Sequence, residues 1–354
     1  MKIHTITGKR DLAEYLRGKR PHYLLSMSNT ATAEIPGITQ AGIPGLLHLT
    51  PTLDAEFLCT GEVRSLQNIA ETPKGVPTPA LITRAVHLLR PFGEIGLLNL
   101  GVAVTPQVEY FACHDFGISP SGSIASGADI PALEVFEKGV AFAQEFELRG
   151  DYLILAESVP AGTTTALASA LARGYDASDK FSSSFRDAPE GLKQNGVKQA
   201  LLQCRETGDI FGRLSSLSDN MLIFNAGFIL GLQNRDVTTV LAGGTQMAAV
   251  LLIVDAIVRS MEGSVREGSL ALWTTPWIAN DPHSDIRALL GMLSFGVDAC
   301  YAAFDFSLTG HPALRLYDDG EAKEGVGAGA ALVYAALNGL SKEEITRTVE
   351  GLLG

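Results

Sequence analysis

The sequence lacks the patterns that mark a metal site, a disulfide framework or a membrane span. Its cysteines, Cys59, Cys113, Cys204 and Cys300, lie far apart and form no C-x-x-C pair, so we expect reduced, buried thiols and no zinc. The longest apolar run, 247–253, is too short to span a bilayer, and the N-terminus has no apolar signal core. These absences predict a cytoplasmic protein with no metal site and no membrane contact.

Positive charge is also scarce. The chain has 27 Lys and Arg residues against 39 Asp and Glu residues, a formal net charge of −12, and its basic residues form no block. Nucleic-acid binding is therefore not indicated, although a small anionic ligand can still be held locally. Apolar residues make up 46% and charged residues 19% of the chain, and 37 glycines are present. This composition is typical of a compact enzyme in which helices pack closely on a sheet.

Short apolar runs alternate with helix-period segments along the 354 residues. Strands are predicted at 22–27, 94–100, 152–156, 237–241, 269–273 and 301–306, and helices at 166–172, 194–205, 245–261, 286–293, 328–338 and 341–353. A capping box, Ser341 to Glu344, opens the last helix. The alternation predicts an α/β fold with a doubly wound, mostly parallel sheet flanked by helices. We expect one unit, 1–354, with a core sheet at about 90–310 and a smaller helical lobe from parts of 1–90 and 311–354.

The clearest candidate site follows the strand predicted at 152–156. Glu157 stands at the end of that strand, and Gly162 precedes three consecutive threonines, Thr163, Thr164 and Thr165, at the start of a helix. Ligands bind at the carboxyl edge of open parallel sheets, and a helix N-terminus with hydroxyl groups suits an anion such as phosphate. A lone threonine here would merely cap the helix. Three in a row after a strand-end carboxylate favour a phosphate loop.

The second candidate is an acidic, glycine-rich segment near the C-terminus. Glu324 stands at its mouth, where small residues let a ligand approach and partial burial raises a carboxyl pKa toward the value a general base needs. The alternative, with Lys323 next to it, is an exposed acid in a charged turn. The glycines that follow do not form a dinucleotide fingerprint, because they lack the G-x-G-x-x-G spacing and a preceding strand.

These segments resemble the nicotinate-nucleotide:dimethylbenzimidazole phosphoribosyltransferases, which act in the assembly of the cobamide nucleotide loop. The phosphate loop of that family reads approximately Gly-Glu-Met-Gly-Ile-Gly-Asn-Thr-Thr-Ala-Ala, and its glutamate and paired threonines align with Glu157, Thr163 and Thr164. Three positions of the loop differ from the family pattern: Val159, Ala161 and Gly162. The resemblance implies that this loop holds the phosphate of a nucleotide.

Three further segments match the family in the same order. Lys193 aligns with a phosphate-binding lysine in a Lys-x-x-x-Val-x-x-Ala-Leu helix, with a solvated lysine on the helix face as the alternative. The glutamate of the family's Leu-Gly-Glu-Gly-Thr-Gly segment, its general base, aligns with Glu324. The resemblance nominates as nucleotide-loop residues Gly243, Gly244, Gly325 and Gly327. For the first two of these glycines, helix packing against the sheet is the alternative.

The resemblance implies transfer of the phosphoribosyl group of nicotinate mononucleotide to a lower-ligand base, giving an α-riboside 5′-phosphate and nicotinate. Glu324 would act as the general base and Glu157 would lie beside the sugar, with no cofactor and no metal. A homodimer is implied as well. The matched part covers roughly 151–336, and the sequence has the look of a divergent archaeal or cyanobacterial branch.

The N-terminal third matches poorly, so the sequence leaves the residues of the base pocket open. The base itself, dimethylbenzimidazole, adenine or a phenol, also stays open. Two other functions are compatible with the same scaffold, since a fold alone does not determine function. One is a different nucleotide group-transfer enzyme, and the other is a non-catalytic or regulatory nucleotide-binding protein.

Overall fold

The structure, a computed structural model, describes residues 1–9, 11–66, 71–186, 191–204 and 209–353. The strands are β1 Ile3–Thr7, β2 Pro21–Met27, β3 Glu94–Asn99, β4 Ala112–Asp115, β5 Tyr152–Ser158, β6 Thr239–Ala242, β7 Leu270–Thr274 and β8 Asp298–Ala302. The α-helices are α1 Asp11–Tyr15, α2 Thr50–Thr60, α3 Ala80–Leu89, α4 Ala132–Glu145, α5 Gly162–Ala172, α6 Leu192–Gln203, α7 Ile210–Leu217, α8 Asn220–Gly231, α9 Thr245–Ser260, α10 Pro276–Ala279, α11 Ile286–Gly291, α12 Pro312–Asp318, α13 Ala328–Leu337 and α14 Lys342–Leu353. Short 3₁₀ helices span Ala31–Glu34, Leu47–Leu49 and Leu232–Asn234.

All eight strands form one sheet in the order β1-β8-β7-β6-β5-β2-β3-β4. Every neighbouring pair is parallel except β1 and β8 at one edge. Every residue of the central strands β2 and β5 is buried, as expected where helices cover both faces of a sheet. The predicted doubly wound, mostly parallel α/β fold is confirmed. The strand order reverses between β2 and β5, which is where ligands bind in such sheets.

The predicted boundary of the core sheet at about residue 90 is wrong. Two strands precede it, and one of them, β2, pairs with both β3 and β5 at the centre of the sheet. The run at 22–27 was recognisable as a strand, but its central place depends on partners 72 and 131 residues away in the chain. Periodicity within one segment carries no information on such pairing.

The helices near the two ends of the chain pack together. Helices α2, α3, α13 and α14 share one apolar core on one face of the sheet, with α3 contacting the other three. Helices α4, α5, α8 and α9 belong to the core on the opposite face. The helices predicted to form a smaller lobe therefore form a layer on the sheet, because their apolar faces are buried against its strands.

Most predicted elements agree with the structure to within a few residues. The last helix has its capping box: the Ser341 amide donates to the Glu344 carboxylate at 2.8 Å, and the Glu344 amide donates to Ser341 Oγ at 3.2 Å. The strand predicted at 301–306 ends at Ala302 instead. Phe304 and Phe306 leave the sheet to pack against Trp277. The end of the helix predicted at 194–205 lies outside the described residues.

No helix in the described ranges is long and apolar enough to cross a membrane. Within those ranges, no group of three or more His, Cys, Asp or Glu side chains is arranged to hold a metal ion. Cys59 and Cys300 are buried, but Cys113 lies on the edge strand β4 and is exposed, which corrects the expectation that all thiols are buried.

Candidate active site

A cleft opens at the carboxyl ends of β5, β6 and β7. It borders β5, one of the two strands between which the strand order reverses, at the edge where ligands bind in open parallel sheets. The loops that follow the three strands form one side. The rest of the wall comes from Thr50 and Asp54 on α2 and from segments distant in sequence: 39–42, 71–79, 182–184 and 321–325.

Glu157 lies near the end of β5 and lines the cleft. Burial raises the pKa of its carboxyl to about 8, and the negative charges of Glu324, Asp219 and Asp54 add to this effect. Its main-chain oxygen accepts a hydrogen bond from the amide of Val326 at 2.9 Å. That bond joins the C-terminal glycine-rich loop to the end of β5.

Glu324 lines the same cleft from the loop before α13. One carboxylate oxygen accepts from the amides of Gly325 at 3.2 Å and Gly329 at 3.1 Å, and the other accepts from the amide of Thr275 at 3.0 Å. Burial raises the pKa of this carboxyl to about 7, although the three amides act in the opposite direction. The interpretation as an exposed acid in a charged turn is wrong, since backbone donors hold the carboxylate in one orientation.

The three threonines of the predicted phosphate loop face different surroundings. Thr163 lines the cleft together with Gly162. Thr165 is buried, and its hydroxyl donates to the Gly162 carbonyl at 3.0 Å and contacts the Asp219 carboxylate. Thr164 is also buried, and its hydroxyl has no hydrogen-bond partner among the described residues. Of the three threonines, only Thr163 lines the cleft, because the helical turn directs successive side chains to different faces. Phosphate binding by this loop stays a prediction.

The start of α5 lies close to the side chain of Gln246. Ala161 adopts a left-handed conformation with φ of 62° at the helix N-cap. A Cβ on Gly162 would lie 2.0 Å from Oε1 of Gln246, which also lines the cleft. The asparagine of the family pattern would fit at Gly162 only if the Gln246 side chain moved aside.

Lys193 lies on α6 and is buried, so the alternative of a solvated lysine is wrong. Its Nζ donates to the main-chain oxygen of Ser182 at 2.7 Å. Burial, followed by the positive charge of Lys323, lowers the pKa of Lys193 to about 7. Ser182 lines the cleft, and Lys193 supports it from behind.

Of the four nominated glycines, two line the cleft and two are packed behind it. Gly244 and Gly325 line the cleft. A Cβ on Gly243 would lie 2.8 Å from Met247 Cγ, and one on Gly327 would lie 2.5 Å from Tyr23 Oη. Gly244 and Gly325 can therefore contact a ligand, whereas Gly243 and Gly327 permit close packing behind the cleft.

The N-terminal third supplies residues that the sequence did not reveal. Asp54 on α2 lines the cleft, is buried, and accepts hydrogen bonds from Thr78 Oγ at 2.6 Å and Ser158 Oγ at 2.7 Å. Burial raises the pKa of Asp54 to about 6. The sequence held one signal of a buried polar site, since Asp54 interrupts the apolar residues of its helix. Nothing in the neighbouring sequence indicated that Asp54 lies beside β5.

Hydrogen bonds join the segments across the mouth of the cleft. Nε2 of Gln40 donates to the main-chain oxygens of Ser184 at 2.5 Å and Glu321 at 3.1 Å. The Glu321 carboxylate in turn pairs with Lys74 at 2.6 Å. Segments 39–42, 71–79, 182–184 and 321–325 are thereby held together around one space.

Two solved structures have the same fold as this chain. The chain superposes on the nicotinate-nucleotide-dimethylbenzimidazole phosphoribosyltransferase from Thermus thermophilus with a TM-score of 0.58 and 16% identity, covering 94% of this chain and 83% of that one. A second structure, of CobT from the same organism, has a TM-score of 0.58 and 15% identity over 94% and 84%. The resemblance found in the sequence is confirmed at the level of the fold.

Sequence comparison gives the family. The chain is 36% identical over 353 residues to a UPF0284 protein of Sulfurisphaera tokodaii, covering 99% of this chain and 97% of that protein. A UPF0284 protein of Sulfolobus acidocaldarius is 36% identical over 93% of each chain. The chain belongs to the UPF0284 family, whose relatives here are archaeal, in agreement with the predicted archaeal-type branch. No protein-family model matches the sequence.

Proposed function

We propose that the protein is a phosphoribosyltransferase that acts on nicotinate mononucleotide and a nitrogenous base. The products would be nicotinate and an α-riboside 5′-phosphate, as in the assembly of a cobamide nucleotide loop. One observation carries this proposal: two glutamates, Glu157 and Glu324, line one cleft, and both have carboxyl pKa values raised by burial. The shared fold supports the same function.

The leaving nicotinate and the incoming base need different catalytic groups. The ribose C1′ of nicotinate mononucleotide is bonded to a positively charged pyridinium nitrogen. When that bond breaks, its electron pair neutralises the ring, so the leaving group needs no acid. Positive charge then develops on the sugar, and a carboxylate beside it stabilises that charge. We assign this role to Glu157.

The incoming base must lose a proton as its ring nitrogen bonds to C1′. We assign Glu324 to accept that proton, because a general base works best with a pKa near the working pH, and the pKa of Glu324 is about 7. Backbone amides hold its carboxylate in place, so little reorientation is needed during the reaction. Attack opposite the leaving nicotinate inverts the sugar from β to α.

The wall from the N-terminal third is our candidate for the base pocket. It combines apolar side chains, Val76, Pro77 and Pro79, with the polar groups of Asp54 and Thr78. This mixture fits a flat aromatic base that carries ring nitrogens. Segments 39–42 and 71–79 would thus decide which base is accepted.

The substitution Glu324→Gln tests the proposal. It keeps the shape of the side chain but removes the proton acceptor, so we expect turnover to fall by roughly 10²- to 10⁴-fold with little change in nucleotide affinity. The measurement is nicotinate release from nicotinate mononucleotide, with and without an added benzimidazole. Glu137→Gln, an exposed glutamate on α4, is the matched control and should leave turnover unchanged.

Two results would contradict this proposal. Full turnover in Glu324→Gln would remove Glu324 from the reaction. Strong thermal stabilisation of the wild-type protein by the nucleotide, without turnover against benzimidazole, adenine or phenol acceptors, would instead indicate a nucleotide-binding protein.

A further inference from the structure

Lys323 forms a buried ion pair at the wall of the cleft. Its Nζ lies 2.9 Å from Oδ2 of Asp281, and the two side chains are only 7% and 1% exposed. Lys323 lines the cleft directly before Glu324 in the chain, and together with Asp281 it also lines a second cavity. A lysine ammonium has three donors, so the bond to Asp281 leaves two of them without a side-chain partner in this ion pair.

A second buried lysine lies close to this pair. The charge of Lys323 contributes to the lowered pKa of Lys193, whereas Asp281 acts in the opposite direction. Two lysines thus face one aspartate in a region with little solvent. A buried positive charge without a full partner is unfavourable, and an anion bound between the lysines would stabilise both.

The threonine loop supplies only part of an anion site. Thr163 lines the cleft, but the hydroxyls of Thr164 and Thr165 are buried in the packing of α5. The amides of Gly162, Thr164 and Thr165 already donate to main-chain oxygens, so the loop offers little beyond the Thr163 hydroxyl group and has no cationic side chain of its own. The phosphate of a nucleotide carries close to two negative charges at neutral pH, and a cation is its strongest partner.

We propose that Lys323, supported by Lys193, binds the phosphate group of the nucleotide in this cleft. The inference rests on the proposed function, which supplies the ribosyl phosphate. Thr163 would contribute its hydroxyl group to the same phosphate. Asp281 holds Lys323 in position and leaves its remaining donors for the ligand. The proposed phosphate ligand, Lys323, thus directly precedes the proposed general base, Glu324, in the chain.

The test compares two ligands that differ only in the phosphate, nicotinate mononucleotide and nicotinate riboside, by isothermal titration calorimetry. For Lys323→Met we expect nucleotide affinity to fall by about 30- to 100-fold, as for loss of a charge-assisted hydrogen bond, and riboside affinity to change less than about twofold. Lys138→Met, which removes a surface lysine on α4, is the control and should leave both affinities unchanged.

A double variant separates ligand binding from structural support. Lys323→Met leaves Asp281 buried without its lysine, whereas Lys323→Met with Asp281→Asn removes both charges. If Lys323 binds phosphate, the double variant also loses nucleotide affinity. Recovery of nucleotide affinity in the double variant, or equal losses for the two ligands, would show that the ion pair is only structural and would overturn the inference.

A third measurement distinguishes failure of this inference from failure of the proposed function. Inorganic phosphate is titrated into the wild-type protein and into both variants, independently of any turnover. Binding to the wild type that is lost in both variants supports the phosphate site even if no transfer reaction occurs. Absence of phosphate binding in the wild type, or its retention in the variants, overturns the site.

Discussion

At the scale of single residues, Glu157 and Glu324 share one buried cleft. Burial raises the pKa of both carboxyls, and the negative charge of Glu324 raises that of Glu157 further. Both carboxyls therefore gain or lose their protons close to neutral pH. A cationic ring or a positively charged sugar in the cleft favours the ionised form of both carboxylates. The proposed substrate supplies such a charge.

The raised pKa of Glu157 predicts how stability depends on pH. The folded protein holds the Glu157 proton up to about pH 8, whereas the unfolded chain releases it near the ordinary value of 4.5, so folding favours the protonated form. This contribution is present at low pH and is lost as pH rises through 8. In Glu157→Gln the side chain cannot ionise, so this pH-dependent loss of stability does not occur. The Tm of this variant relative to wild type should therefore rise by roughly 2 °C or more between about pH 5 and about pH 8.5, measured by calorimetry. A constant difference would contradict the raised pKa.

The pKa of Glu324 predicts the pH dependence of the proposed transfer. The base must be ionised to accept a proton, and its pKa is about 7. We expect kcat/KM for the accepting base to rise about tenfold per pH unit below pH 7 and to level off above it. Glu324→Gln should remove this rise from its residual activity. A wild-type profile that is flat between about pH 5 and about pH 8 would argue against Glu324 as the base.

At the scale of elements, the junction of β7, the glycine-rich loop and α13 determines where Glu324 points. Helix α13 begins so close to β7 that a Cβ on Gly329 would lie 2.1 Å from the main-chain carbon of Thr274. The amides of Gly329 and Thr275 then reach the Glu324 carboxylate from two elements. Close backbone contact and the orientation of the carboxylate are therefore linked.

Gly329→Ala tests this link. The added methyl group must separate α13 from β7, which we expect to lower the free energy of unfolding by about 1–3 kcal/mol and to reduce turnover by more than about tenfold. Urea denaturation and the nicotinate-release assay measure the two effects. Gly351→Ala on α14, where the new methyl group meets open space, is the control and should leave turnover unchanged. Wild-type turnover in Gly329→Ala would show that the helix junction does not position Glu324.

At the scale of the whole molecule, the cleft is assembled from both ends of the chain. The N-terminal helix α2 contributes Asp54, which binds Ser158 at the end of β5, and the C-terminal loop contributes Glu324. Helices from both ends form one layer on the sheet. Truncation at either end would therefore remove a wall of the cleft as well as part of the core.

The homodimer implied by the family resemblance stays a prediction at this scale. We expect sedimentation equilibrium to give twice the mass of one chain, independent of concentration in the micromolar range. Symmetric oligomers of this kind are the commonest among soluble proteins. A single-chain mass throughout that range would contradict the prediction, and the cleft would then have to function within one chain.

Local patterns in the sequence were sufficient to predict the alternation of strands and helices, the turn after β5 and the cap of α14. These features depend on neighbouring residues, through side-chain periodicity and hydrogen bonds to nearby amides. The sequence also identified Glu157 and Glu324 as acids at the ends of loops, and the two do line one cleft. Their expected roles in the reaction followed from the family motifs.

Only the tertiary structure decided which groups meet. It placed β2 at the centre of the sheet, brought Asp54 to Ser158, buried Lys193 behind the cleft, and turned Thr164 and Thr165 away from it. Each of these outcomes depends on contacts between residues far apart in the chain or on the direction of one helical turn. Periodicity and motif spacing describe one segment at a time, whereas burial and pairing are properties of the assembled sheet and its two helical layers.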